Sequence, residues 1–230
     1  KDIGNITGST RTKIIRNKRN VGFAKANNQG YKLTKGRYIL LLNNDTEVPS
    51  GFLSKLVERL EQDRSIGVIQ PKIFCLTKPG YLDNSGSFLT NTGFLQHWGY
   101  LAKDGPEFKK ERDIFSAKGA CMLMRREVVE TVGLFDKDFV SYVEESDFCW
   151  RVWLIGYRVV FYPHTRIYHR IGFTSKKQDQ VIVNYHSFKN RIASLVKNLG
   201  ADNLLVVSGF HLLLILCLVF YYIMKLQFAK

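Results

Sequence analysis

The apolar residues of this chain fall into short runs and helical stripes that alternate along its first part. Residues 37–42 (RYILLL) form a nearly continuous apolar run, the pattern of a strand covered on both faces. Residues 66–70 repeat that pattern. Between them, Pro49 and Ser50 introduce a segment in which Phe52, Leu53, Leu56, Val57 and Leu60 share one face, which predicts a helix through Leu60. Upstream, residues 13–16 read as a short strand and 24–33 as a helix. Downstream, 119–124 read as a buried strand and 127–132 as a short helix closed by Gly133. A further helix over 142–155 stops at Gly156, and 159–162 read as a strand again. Residues 77–114 keep neither period and read as loop-rich. Strands alternating with helices predict an α/β domain with a mostly parallel sheet.

Residues 204–224 depart from this alternation. They are almost wholly apolar, and His211 is their only ionisable side chain. At a rise of about 1.5 Å per residue, roughly 20 residues cross a hydrocarbon core of about 30 Å. The segment predicts a transmembrane helix, with Tyr221 and Tyr222 placed for the interfacial belt. Lys189, Arg191 and Lys197 precede it, and Lys225 and Lys230 come after it. That slight excess assigns the preceding domain to the cytoplasmic face of a cell membrane.

Charged residues make up 23% of the 230 residues and hydrophobic residues 45%, a balance that excludes wholesale disorder. The net charge of +14 raises three partner classes: nucleic acid, an anionic membrane surface and phosphorylated ligands. The basic residues are dispersed. Their densest cluster, Arg11 to Arg19, lacks interleaved aromatics, and no zinc-finger or RNA-recognition signature occurs. Nucleic acid is therefore not the expected partner. The four cysteines, Cys75, Cys121, Cys149 and Cys217, form no CxxC pair, which argues against zinc and predicts buried reduced thiols.

Candidate chemistry sits in three places. Asn43-Asn44-Asp45 comes directly after the strand ending at Leu42, and ligands of open α/β sheets bind beyond the carboxyl ends of strands. A carboxylate there suits Mg2+ or Mn2+ against a diphosphate, although a polar turn favours the same residue types. Glu144, Glu145 and Asp147 open a helix. Ser141 and Glu144 have capping-box spacing, which leaves Glu145 free to act as a general base; acidic residues are also common in any first helical turn. His169 lies past the last strand and the turn Pro163-His164. Its neutral imidazole is a candidate metal ligand, with His164 as a competitor.

These residues together resemble a known family. Asn20-x-Gly22-Phe23-Ala24-x-Ala26-Asn27-Asn28-x-Gly30, Gly36-Arg37-Tyr38 and Leu40-Leu41-Leu42-Asn43-Asn44-Asp45 are similar to the inverting family 2 glycosyltransferases. The resemblance continues through Gly119-Ala120-Cys121-Met122-Leu123, Gly133-Leu134-Phe135-Asp136 and Tyr142-x-Glu144-Glu145-x-Asp147-Phe148-Cys149-x-Arg151, and ends with Gly156-Tyr157 and His169. It is strongest to the rhamnosyltransferase-like branch that builds bacterial surface polysaccharides. It implies a GT-A fold, with residues 1–198 as the catalytic domain. It implies that Asp45 and His169 hold the metal, and that Asn27, Gly30, Asn43, Asn44 and Asp45 lie on the donor side. Gly119, Ala120, Glu144 and Asp147 fall on the acceptor side. Glu145 matches the catalytic base, where the family usually has Asp, so Glu144 and Asp147 remain alternatives.

The family opens with an apolar strand and a turn that holds the nucleoside. Lys1-Asp2-Ile3-Gly4-Asn5 does not match them, and Gly8-Ser9-Thr10 resembles the stretch just past that turn. The sequence is thus expected to begin inside the catalytic domain. The implied reaction moves a sugar, dTDP-rhamnose being the donor by resemblance, from a nucleotide diphosphate to a glycan or lipid-linked acceptor at the membrane. A nucleotidyltransferase of similar fold and a non-catalytic membrane-bound glycan-binding module are the alternatives.

Overall fold

The computed structural model describes residues 12–171 and 180–228; residues 1–5 and Gly8-Ser9-Thr10 lie outside them. In chain order the elements are α1 (Phe23–Tyr31), β1 (Tyr38–Leu42), β2 (Thr46–Glu47), α2 (Phe52–Gln62), β3 (Ile66–Cys75), β4 (Leu82–Asn84), β5 (Ser87–Leu89) and β6 (Leu95–His97). They continue with β7 (Arg112–Asp113), β8 (Cys121–Arg125), α3 (Arg126–Val132), α4 (Glu144–Leu154), β9 (Arg158–His169), α5 (Gln180–Asn198) and α6 (Ala201–Phe228).

The central sheet has the order β1-β8-β3-β9-β2, with β4 also on β3 and β7 on β9. β3 and β9 pair in parallel. β8 runs antiparallel to both β1 and β3, so β1, β3 and β9 share one direction and carry most of the sheet's residues. Alternate side chains go to opposite faces. Val68, Met122, Met124, Val159 and Phe161 meet Val128 of α3 and Phe148 and Val152 of α4. Ile69, Cys121, Leu123 and Val160 meet Phe52, Leu56 and Leu60 of α2. Both faces are covered, which is why these strands read as apolar runs rather than as alternation. The carboxyl end of β1 and the amino end of β8 lie together, since Leu42 pairs with Cys121. β2 brings the carboxyl end of β9 to the same edge by pairing Thr46 with His169.

Several expectations are corrected. Residues 13–16 form no strand. α2 begins at Phe52 after Gly51, whose φ of 73° puts it in the left-handed region, and Leu53 is exposed. Residues 77–114 are not simply loop: they contain β4, the β5–β6 hairpin and β7. β9 continues well past Tyr162. The register shifts opposite Pro71 and Lys72, so that Tyr162 and Arg166 take successive partners and Pro163-His164-Thr165 bulge outward. A bulge tolerates a proline that a regular ladder would not. Cys75, Cys121 and Cys149 are buried thiols, but Cys217 is exposed on α6.

Among the described residues, α6 is the one helix long and apolar enough to cross a membrane, by length and composition, over Ala201–Lys225. Its first turns are docked on the domain. Leu204 and Val207 pack with Leu195 and Trp150. His211 stacks on Phe94, at the turn of the β5–β6 hairpin, with ring centroids 5.2 Å apart. Arg191 of α5 lies over the same ring at 4.0 Å. Beyond His211 the side chains of Leu212, Leu213, Leu216, Val219 and Phe220 are exposed.

Arg125, almost fully buried, closes the carboxyl end of α2. Its guanidinium donates to the carbonyls of Leu60, Asp63 and Ile66, the last at 2.7 Å. The Leu60 and Asp63 carbonyls lie at the helix end, where intrahelical partners run out, and Ile66 opens β3. Arg125→Met strands them, and denaturant unfolding is expected to show a loss of about 2–3 kcal/mol. An unchanged midpoint and slope would refute this role.

Candidate active site

The first corner of the site grows from the turn after β1. Asn43 N–H donates to the carbonyl of Ala120 at 2.9 Å, and the Thr46 hydroxyl donates to the Asn43 carbonyl at 2.7 Å. Those bonds, with the β2–β9 pairing, bring Asp45 against the end of β9. Asp45 Oδ1 lies 3.2 Å from His169 Nε2. The other ring nitrogen, Nδ1, lies 2.7 Å from Asp83 Oδ2 of β4. The Asp83 carboxylate only accepts, so Nδ1 carries a proton toward it, and Nε2 is the ring nitrogen that faces Asp45. Asn43 Nδ2 is the nearest amide to Nε2, at a long 3.5 Å. Asp45 Oδ1 is buried and has no hydrogen-bond donor among the described residues.

His169 Nε2 and an Asp45 oxygen that has no hydrogen-bond donor among the described residues thus stand 3.2 Å apart. A divalent cation fits that arrangement. Cis ligands at about 2.1 Å from an octahedral ion lie about 3 Å apart, and an orphaned buried carboxylate oxygen is costly without a partner. Among the described residues no group of three or more His, Cys, Asp and Glu side chains could hold a metal. Asp83 behind His169 fixes the ring, as carboxylates do behind metal-ligating histidines. Asp83 is fully buried, and its second oxygen accepts from Lys118 Nζ at 2.7 Å. Burial alone would raise its carboxyl, but the His169 hydrogen bond and the Lys118 ammonium outweigh it and hold Asp83 below its ordinary value.

Lys118 links this corner to the second. Its backbone N–H donates to Gln70 Oε1 at 2.7 Å, so a buried polar side chain of β3 positions it. It lines a cleft of about 330 Å3 with Asn84, Ser87, His97, Tyr100 and Glu145. Glu145 stands in the first turn of α4 beside Gly119, where an added Cβ would lie 3.8 Å from Glu145 Oε1 and only 2.9 Å from the Phe23 ring. Residues 118–120 thus touch both corners.

The expected capping box is absent. α4 starts at Glu144 without a side-chain cap, and Val143 before it is left-handed. Val140, Tyr142 and Val143 all have positive φ, at 55°, 73° and 71°. Each such residue costs on the order of 1–3 kcal/mol and persists only where its surroundings impose it. Here the constraint is Asn190 of α5, fully buried, whose Nδ2 lies 2.7, 2.9 and 2.8 Å from the carbonyls of Phe139, Ser141 and Tyr142. Ser141 Oγ accepts from Phe23 N–H at 3.3 Å instead of capping α4.

The structure thus gathers Asn43, Asp45 and His169 at one corner, and Gly119, Ala120 and Glu145 beside the cleft. Asn44 is exposed in the turn. On α1, Asn27 donates to the carbonyl of Phe23 at 2.9 Å, and the space above Gly30 is open. Asp147 is not on the acceptor side: it is fully buried against Arg151, Lys197 and Asn198 and ties α4 to α5. Sequence reasoning missed Asp83, Lys118 and Asn190. Nothing in the sequence around them marks them, because their roles exist only across distant elements.

A family model for glycosyl transferase family 2 matches residues 4–133. The chain belongs to that family. The O-antigen biosynthesis protein RfbC of Myxococcus xanthus is 32% identical over 163 residues, covering 67% of this chain and 12% of the relative. The poly-beta-1,6-N-acetyl-D-glucosamine synthase of Staphylococcus aureus is 28% identical over 148 residues, 63% of this chain and 33% of the relative. This chain therefore spans a third or less of the length of those relatives. A solved GalNAc-T7 with UDP, GalNAc and Mn2+ superposes with a TM-score of 0.61 at 18% identity, covering 80% of this chain and 37% of that one. That likeness establishes the GT-A fold.

In this family 2 glycosyltransferase chain the two adjacent glutamates are electrostatically unequal. Burial, and then the charge of Glu145, raises Glu144 far above the ordinary carboxylate range. Burial also raises Glu145, but backbone N–H groups, Gly119's among them, and the Lys118 charge work against it. Burial therefore favours the neutral form of both carboxyls, and the groups that oppose it are more numerous at Glu145. Because the folded value of Glu144 lies above its unfolded value of about 4.3, its stabilising contribution is complete below that pH. It is lost as pH rises through the folded value. Glu144→Gln is neutral at every pH, so its melting temperature should gain on the wild type progressively as pH rises above about 5. A difference independent of pH would contradict the raised value. Asn190→Ala is expected to lower stability by about 1–3 kcal/mol and to reduce turnover through the loop before Glu144. Unaltered hydrogen-exchange protection at residues 140–143 would count against it.

Proposed function

We propose that this chain carries the catalytic domain of an inverting glycosyltransferase that moves a sugar from a nucleotide-diphosphate donor to a hydroxyl of a glycan or lipid-linked acceptor. The observation that carries the reading is the juxtaposition of Asp45 Oδ1 and His169 Nε2, 3.2 Å apart, at the edge where Lys118 leads to the Glu145 cleft. Asp45 and His169 would hold Mg2+ or Mn2+, which when bound supplies positive charge to the departing diphosphate. Asn43, Asn44, Asn27 and Gly30 are assigned to the donor side. Glu145 accepts the proton of the acceptor hydroxyl as its oxygen bonds to the anomeric carbon. The carbon–oxygen bond to the diphosphate breaks with its electron pair, and the configuration inverts. The Gly119 N–H and Lys118 favour the ionised form of Glu145 against its burial.

Two further features support the reading. GalNAc-T7 was solved with UDP, GalNAc and Mn2+, and RfbC is named for O-antigen biosynthesis. α6 would tether the domain to the cell membrane, and the net charge of +14 favours the anionic cytoplasmic face. Rhamnose is the sugar proposed first.

The test uses the full-length protein with a panel of nucleotide sugars that includes dTDP-rhamnose. Release of nucleoside diphosphate is expected. Glu145→Gln should lower turnover by about 10²–10⁴-fold with donor binding retained, and Asp45→Asn should also weaken metal-dependent donor binding. Pyrophosphate release would identify a nucleotidyltransferase instead. Loss of turnover in Glu144→Gln with Glu145→Gln near wild type would reverse the two carboxylates.

A further inference from the structure

Helix α5 has two unlike faces. Asn190, Ser194, Leu195 and Asn198 are turned into the domain, where Asn190 holds the strained loop and Asn198 bonds Asp147 at 2.9 Å. Ile182, Tyr185, Phe188 and Val196 are exposed, Tyr185 by 62%. With the partly buried Ile192, at 100° per residue they fall within an arc of about 120°, opposite the docked face. Lys189 falls within the same arc, with its ammonium drawn to the Asp138 carbonyl at 2.9 Å, and an apolar stripe this long is unusual on a surface that faces only water.

Three observations indicate what covers the stripe. Only Leu199 and Gly200 separate α5 from α6, the helix long and apolar enough to span a membrane. α5 carries no acidic residue that would repel anionic lipid, while its Lys189, Arg191 and Lys197 are turned onto the domain, against the Asp138 carbonyl, the Phe94 ring and Asp136. The exposed apolar surface also continues onto the first turns of α6, where Leu205 and Val206 are exposed although Leu204 and Val207 are docked on the domain. A bilayer that covers Leu205 and Val206 therefore begins beside the domain rather than at a distance from it.

We propose that α5 lies in the membrane interface, with Ile182, Tyr185, Phe188, Ile192 and Val196 inserted among lipid headgroups and upper acyl chains, so that the catalytic domain is seated on the bilayer rather than suspended from α6. This rests on the reading of α6 as a membrane span. Its consequence for substrate is specific. The helix that grips the bilayer with one face holds the loop before Glu144 and Glu145 with the other, so the acceptor cleft is built against the lipid surface. That arrangement suits an acceptor whose hydroxyl is presented at the headgroup level.

Site-directed spin labelling of the full chain in vesicles of phosphatidylcholine and phosphatidylglycerol tests this. Single labels are introduced by Tyr185→Cys, Phe188→Cys, Leu216→Cys and Lys25→Cys, each combined with Cys217→Ser, since the other described cysteines are buried. Collisions with oxygen are compared with collisions with a water-soluble nickel complex. The oxygen-to-nickel ratio at positions 185 and 188 should exceed that at Lys25, on the exposed side of α1, several-fold. A ratio at 185 and 188 equal to that at Lys25, with Leu216 deep in lipid, overturns the proposal while leaving the span intact. A Leu216 label that reads as aqueous removes the span itself. Spectral broadening at 185 that disappears on dilution with unlabelled protein assigns the stripe to a second copy of the chain and overturns the proposal.

Discussion

The site depends on one imidazole held between two carboxylates. His169 gives its Nδ1 proton to Asp83 and turns Nε2 toward Asp45. Every element at this edge of the sheet serves that contact. β9 must run past its bulge to carry His169, β2 must pair with it to bring Asp45 across, and β4 must pair with β3 to place Asp83 behind the ring. Asp83 is itself tied to Lys118, so the same carboxylate that orients the histidine also fixes the cation nearest the acceptor cleft. The chain of polar contacts Asp45, His169, Asp83, Lys118 is continuous from the end of β9 to the Glu145 corner.

The second corner is organised by strain. Val140, Tyr142 and Val143 before α4 stand at positive φ without being glycine, and the buried amide of Asn190 bonds the carbonyls of Phe139, Ser141 and Tyr142 among them. The same loop meets the start of α1. Ala24 N–H donates to the Val140 carbonyl at 3.1 Å, and an added Cβ on Gly22 would fall 2.5 Å from that carbonyl oxygen. Gly22 is therefore fixed by close approach as well as by its φ of 83°. A loop gripped from α1 and α5 together delivers Glu144 into the protein and Glu145 to the cleft, which is how two adjacent residues of one type come to stand in unlike surroundings.

Much of the sheet is legible in the sequence because its strands are buried on both faces, and 37–42, 66–70 and 119–124 are apolar runs where β1, β3 and β8 stand. β9 reads as ending near Tyr162 because Pro163 is a strong local breaker, and only the bulge against β3 lets the strand continue. Asp45, His169 and Glu145 stand out through motif resemblance at their own positions. Asp83, Lys118 and Asn190 do not, since each acts on a partner dozens of residues away and none lies in a periodic segment that marks it. The spacing of Ser141 and Glu144 suggests a cap that left-handed backbone at residues 140–143 does not permit. The carboxylate pattern at Asp147 suggests a cleft residue, whereas ion pairs to Arg151 and Lys197 fix it in the α4–α5 junction.

A divalent cation shared by Asp45 and His169 requires an unprotonated Nε2 on His169, with the Nδ1 proton donated to Asp83. Nitrogen NMR of the histidine-labelled full-length protein tests it most directly. The account predicts a protonated Nδ1 and an unprotonated Nε2 for His169 near neutral pH. It also predicts that Mn2+ added with a nucleoside diphosphate broadens the His169 resonances selectively, before those of His164 and His186. A proton on Nε2, or His169 resonances that stay sharp while nucleotide and Mn2+ bind, would contradict it.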